Sequence, residues 1–172
     1  MAIITVPPVQ AGGMTLLSTT ALTGSSITVS SISGSYTDLL VEIRNCRTSA
    51  DDRTINMRFD GDTGSNYGYS NVWNNVGSLT GSHGTGTNIF VGKSNSSTTT
   101  LTLAQISIRI PLYTNTSYRK PVSYGWNSRN PSGEQSGVGY GRWDSTSAID
   151  SITIFPDSGT FSAGDILIYG VK

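Results

Sequence analysis

The chain has 172 residues, 13% of them charged, and its 11 basic and 11 acidic side chains give a formal net charge of zero. Gripping nucleic acid through phosphates and attaching to anionic membranes both need a basic surface, which this composition does not supply. Ser (26), Thr (22) and Gly (20) stand in for the missing charge, and three Trp, eight Tyr and four Phe spread along the chain argue for a packed core over disorder.

The opening MAIITVPPVQAGG reads as an extended N-terminal arm over residues 1–13. Pro7–Pro8 forbids helix and Gly12–Gly13 supplies a hinge. Ile3, Ile4, Val6, Pro7, Pro8 and Val9 form an apolar strip with no obvious core to join, so the arm is a candidate tether to another chain, the alternative being a disordered tail. It lacks the basic n-region and long apolar stretch of a signal peptide. No run approaches the roughly 18 apolar residues of a membrane helix. The one cysteine, Cys46, permits no intrachain disulfide, so a reducing cytoplasm is compatible with folding.

Residues 14–172 read as a single domain. No window carries a helical stripe, and short strand-like runs bounded by Gly, Ser, Asn and Asp recur. Strands are predicted near 15–21, 27–32, 38–47, 54–60, 67–74, 88–92, 100–112, 121–127, 138–143, 148–155 and 165–171. In DLLVEIRNCR, Leu39, Val41 and Ile43 share one face, and Leu40, Glu42, Arg44 and Cys46 the other. In TINMRF, Ile55, Met57 and Phe59 form the apolar face. In TLTLAQISIRIPL the apolar parity switches near Ala104–Gln105, which predicts a β-bulge or a strand passing between sheets. The last strand, DILIYGV, is apolar on both faces; either a loop or a neighbouring subunit covers Leu167, Tyr169 and Val171. The fold class is all-β: an antiparallel β-sandwich, with a jelly roll as the arrangement that suits the length.

Chemistry is sparse. MRFDGDTGSNYGYSN places Asp60 and Asp62 in a glycine-rich loop, but an EF-hand counted from Asp60 fails at Gly64, Ser65 and Asn71, so the segment reads as a turn. His83, the one histidine, lies in a Gly/Ser/Thr stretch read as a loop, without the rigid setting a triad base requires. One His and one Cys do not make a zinc site. Most of the acidic residues fall at turns and strand ends, a poor start for a glycosidase pair. GVGYG has no surrounding βαβ unit and is not a dinucleotide fingerprint. No catalytic residue, metal site or cofactor is expected. The aromatics are the binding candidates: Tyr67, Tyr69 and Trp73 have one parity, and with Trp126 they form a possible glycan-binding set, the alternative being core packing.

The segments GSYTDLLVEIRN, INMRFDGDTGSNYGYS and AIDSITIFPDSGTFSAGDILIYGVK resemble structural proteins on the exterior of tailed-bacteriophage particles, over roughly residues 13–172. The resemblance implies a virion component made in the host cytoplasm, a jelly-roll sandwich, a homotrimer and no catalytic motif. It implies a capsid decoration (cement) protein whose partners are the major capsid protein and copies of itself. A receptor- or carbohydrate-binding module of a tail fibre is the alternative.

Overall fold

A computed structural model describes residues 13–96 and 103–172. Residues 1–12 of the expected arm, with Ile3, Ile4, Val6, Pro7, Pro8 and Val9, lie outside the described residues, as does Leu101. The described residues form twelve strands and no helix: β1 (Met14–Ala21), β2 (Ile27–Val29), β3 (Asp38–Thr48), β4 (Arg53–Phe59), β5 (Tyr67–Asn75), β6 (Ser78–Gly86), β7 (Ile89–Ser94), β8 (Ala104–Ile110), β9 (Lys120–Asn130), β10 (Gly133–Trp143), β11 (Ile152–Pro156) and β12 (Phe161–Val171). They pair antiparallel in two sheets, ordered β1-β12-β3-β8-β9-β10-β5-β6 and β2-β11-β4-β7. The protein is an antiparallel β-sandwich.

The alternating runs build the core. Leu39, Val41 and Ile43 of β3, Ile106, Ile108 and Ile110 of β8, and Ile166 and Ile168 of β12 meet Ile55, Met57 and Phe59 of β4 and Ile152 and Ile154 of β11, all at 1% exposure or less. Each such side chain contributes about 1.5–3 kcal/mol by leaving water. The consecutive pairs β1/β2, β3/β4, β7/β8 and β11/β12 each have one strand in either sheet, whereas β5–β6 and β9–β10 are hairpins held entirely by the larger sheet.

Two expectations are corrected. Residues 78–86, with His83, are not a loop but the edge strand β6, paired to β5. Alternation is invisible there because β6 is exposed along most of its length. The irregularity expected at Ala104–Gln105 lies across the ladder, in β3, where the register shifts between Ile43 and Cys46 and Asn45 takes φ 55°. That bulge turns Cys46 from the outer face into the core, at 1% exposure. Burial pushes its thiol up to about 11.

The Asp60–Asp62 loop is a clamp built by hydrogen bonds. Asp60 accepts from the backbone N–H of Asp150 and Ser151 at 3.0 and 2.9 Å. Asp62 accepts from Trp143 Nε1 at 2.7 Å, Asn66 Nδ2 at 3.0 Å and Gly64 N at 2.8 Å. These donors, Trp143 first, hold the Asp62 carboxyl below its ordinary range. Carboxylates so engaged point their lone pairs at N–H groups.

Candidate functional site: an apolar sheet face and an aromatic cleft

The strand order sets what the larger sheet shows on its outer face. Register places Met14 opposite Val171, and Leu16 opposite Tyr169, which in turn faces Leu40; Leu167 lies beside Glu42. These side chains project away from Ile166 and Ile168, which fill the core. Met14 is 60% and Leu16 51% exposed, while Leu40, Leu167, Tyr169 and Val171 are half-buried. The second face of β12 is therefore open, and no loop of the described chain seals it.

A second apolar patch lies toward the other edge of the same face. Val138 pairs with Val72, and Tyr140 and Leu79 flank them. Leu79 is 78% and Val138 60% exposed. Beside them runs an open groove of about 550 Å³ lined by Val72, Leu79 and Val138 together with Glu42, Gln105 and Asn127. Glu42, which accepts from Ser107 Oγ at 2.5 Å, stands between the two patches. Scattered apolar side chains are ordinary on a surface, but contiguous ones mark contact sites.

On the inner face, the sequence GVGYG finds its reason. Gly137, Gly139 and Gly141 of β10 point inward and alternate with Val138, Tyr140 and Arg142. Gly137 sits between Trp126 and Trp73, and Gly139 between Tyr124 and Asn71. A Cβ at 137 would lie 2.6 Å from Trp73 Cβ and 2.7 Å from Trp126 Nε1; at 139 it would strike the Tyr124 ring. The missing side chains are the space the aromatic rings occupy.

The rings converge on Phe90 of β7. Its centroid lies 6.4 Å from Tyr69, 6.2 Å from Trp73, 6.3 Å from Tyr124 and 6.1 Å from Trp126, distances at which tilted rings attract. Phe90 shares a face with Asn56, opposite it in the ladder, after a register shift in β4–β7. The β5–β6 side of the large sheet thus lies over the face of the small sheet that alternates with Ile55, Met57 and Ile89. Between them is a cleft of about 250 Å³. Tyr69, Trp73 and Phe90 supply its rings and Asn56, Asn71 and Asn88 its amides. Asn88 Nδ2 donates to Asn56 Oδ1 at 2.8 Å.

The predicted aromatic set divides here. Tyr67 is fully buried and Trp126 is 5% exposed. Tyr67 stacks beside Trp143 and bonds to Phe59 O and Asp62 O. Neither ring is open to a glycan: Tyr67 packs against Phe59 and Trp143, and Trp126 against Phe90 and the space left by Gly137. Tyr69 and Trp73 are half-buried and do reach the cleft. Asn56, Asn88 and Phe90 were not singled out from sequence, since they come from strands and loops distant in the chain. Burial pushes the Tyr124 phenol up to about 12, opposed by the neighbouring Asn71. That pair does not reach hydrogen-bond geometry, and the Tyr124 hydroxyl and Asn71 Oδ1 are both buried without a partner.

The chain was compared with protein-family models, with curated proteins and with solved structures, and none of the three comparisons returned a match.

Proposed function

We propose that this protein is a structural component of a phage particle, a non-enzymatic decoration protein that binds the capsid shell and associates with copies of itself, most simply as a trimer. In this reading the strand order is a jelly roll: β1-β12-β3-β8 against β2-β11-β4-β7, with the β5–β6 and β9–β10 hairpins inserted into one sheet. The observation that carries the proposal is the unsealed apolar face of β12, formed by Leu167, Tyr169 and Val171 with Met14 and Leu16 of β1. A strand needs one apolar face to fold; a second one serves contact with another chain. The separate patch around Val72, Leu79, Val138 and Tyr140 suits a second partner, the shell, with the N-terminal segment from Ile3 to Val9 as a further contact. A neutral surface rich in Ser and Thr keeps crowded copies from repelling one another. Binding only the assembled shell stabilises it by mass action.

Sedimentation of the purified protein tests the self-association. The wild type is expected to be oligomeric, and Tyr169→Glu with Leu16→Glu monomeric with an unchanged melting temperature. A wild type that stays monomeric over the whole concentration range overturns the β12 interface. Counting copies in purified particles tests the location. A number matching the capsid subunits supports decoration; a number matching a tail tip or fibre supports the receptor-binding alternative. Deletion of residues 1–12 is expected to abolish shell binding and leave the fold intact.

A further inference from the structure

We infer that the cleft between β5–β6 and β4–β7 binds one sugar ring of a glycan. The inference stands apart from the assembly reading, and either can fail alone. At about 250 Å³ the cleft lies just below the range of drug-sized pockets and has room for a single ring. Trp73, Tyr69 and Phe90 present aromatic surface, which packs against the C–H face of a pyranose. Asn56, Asn71 and Asn88 line the cleft too, and a side-chain amide can donate to one hydroxyl and accept from another.

Burial decides against other occupants. Asn56 is 6% and Asn71 8% exposed; Asn71 is among the residues lining the cleft, and its buried Oδ1 has no hydrogen-bond partner. Asn56 already accepts from Asn88 Nδ2 and donates to Thr54 O, and an apolar ligand or an aromatic peptide side chain would leave the amide donors and lone pairs still free without a partner. A hydroxylated ring satisfies them. Lys93 stands at the same cleft, and its nearest carboxylate oxygen, Asp52 Oδ1, is 3.9 Å away, beyond hydrogen-bond reach. Its ammonium retains donors for a hydroxyl or a uronate carboxylate. Among the described residues no carboxylate lines the cleft, so the site as described holds a sugar without a group to cleave it.

Saturation-transfer NMR on the full chain tests this. The probes are glucose, galactose, mannose, rhamnose, N-acetylglucosamine and glucuronate, each at about 10 mM, tenfold above a Kd of about 1 mM. At least one is expected to receive saturation and to shift the Trp73 indole N–H resonance in the labelled protein. Asn88→Ala is expected to weaken that sugar at least tenfold while the melting temperature holds. No transfer to any of the six overturns the inference. So does transfer that leaves the Trp73 indole unmoved, or that survives in both Asn88→Ala and Asn56→Ala. If either variant fails to fold, the wild-type indole shift decides alone.

Discussion

Gly139→Ala is the sharpest test of the packing beneath the cleft. The added Cβ would fall 2.6 Å from Tyr124 Cε2 and closer still to Cζ and the hydroxyl, where real Cβ atoms are not found below 3.0 Å. The ring has little room to yield. Tyr124 is 5% exposed and faces Phe90 at 6.3 Å. Overpacking of this kind costs about 1–3 kcal/mol, and a pinned ring puts the cost at about 2–3. The substitution also removes backbone freedom from the unfolded chain, returning about 0.4–1 kcal/mol. The net loss is about 1–2.5 kcal/mol, which for a domain of this size lowers Tm by about 2–10 °C. Gly125→Ala is the internal control. It lies on the outer face of the adjacent strand, where a Cβ meets only Val138 Cγ1 at 3.8 Å and Gly137 O at 3.9 Å. Its Tm is expected to hold or rise slightly. Thermal melts followed by circular dichroism read both. In the Tyr124→Val background Gly139→Ala should cost less than it does alone, because the obstructing ring is gone. Equal shifts for Gly139→Ala and Gly125→Ala would refute the reasoning, since the two differ chiefly in which face carries the methyl.

Three further outcomes follow from local geometry. The Cys46 thiol, buried and held near 11, should stay silent to a thiol reagent at neutral pH in the native protein and react fully once denaturant unfolds it. Asp62 has its pKa lowered on folding, so its contribution is complete above the ordinary carboxylate value of about 3.9 and is lost as pH falls through the depressed native value. Melting temperatures measured from about pH 5 to pH 2 should therefore fall less steeply for Asp62→Asn than for the wild type. Val76 turns the β5–β6 hairpin at φ 51°, a left-handed conformation that a β-branched side chain resists. Val76→Asn should stabilise by about 1 kcal/mol in denaturant titrations, and a destabilised variant would mean that the Val76 side chain contributes more in its packing near Gly133 than its backbone costs.

Most of the strands were legible because burial on one face writes a period of two into the chain, as in Leu39–Val41–Ile43 and Ile106–Ile108–Ile110. Where burial is weak the period vanishes, and β6 reads as a loop although every one of its residues is in register with β5. Parity also says which residues share a face but not which face turns inward. Tyr67, Tyr69 and Trp73 do share one, and it is the inner one, as Gly137, Gly139 and Gly141 make room for the rings without any apolar signature of their own. Parity puts Cys46 on the wrong face for the related reason that the bulge at Arg44–Asn45, just before it, resets the count. The cleft was half legible: Tyr69 and Trp73 are neighbours in sequence, whereas Asn56, Asn88 and Phe90 join them only through the curl of one sheet over the edge of the other.

The two proposed surfaces sit at opposite ends of one sheet, and this gives them separate fates. A single row of outer-face residues crosses all eight strands: Thr19, Leu167, Glu42, Ser107, Gly125, Val138, Val72 and Gly81. Its β12 end carries the apolar face assigned to self-association. Its β5–β6 end has the cleft behind it, on the inner side and under a different set of residues. Four strands, β3, β8, β9 and β10, lie between β12 and β5, and neighbouring strands are spaced about 4.8 Å apart. The separation is therefore about 24 Å along the sheet, so a partner covering Tyr169 leaves Trp73 accessible. Assembly through β12 would then array one cleft per copy, and weak single-site sugar binding would gain strength from simultaneous engagement. A Tyr169→Glu, Leu16→Glu monomer should accordingly keep its affinity for a monosaccharide and lose its retention on a surface coated with the same sugar. If the monomer loses both equally, the two sites are coupled and the spatial argument fails.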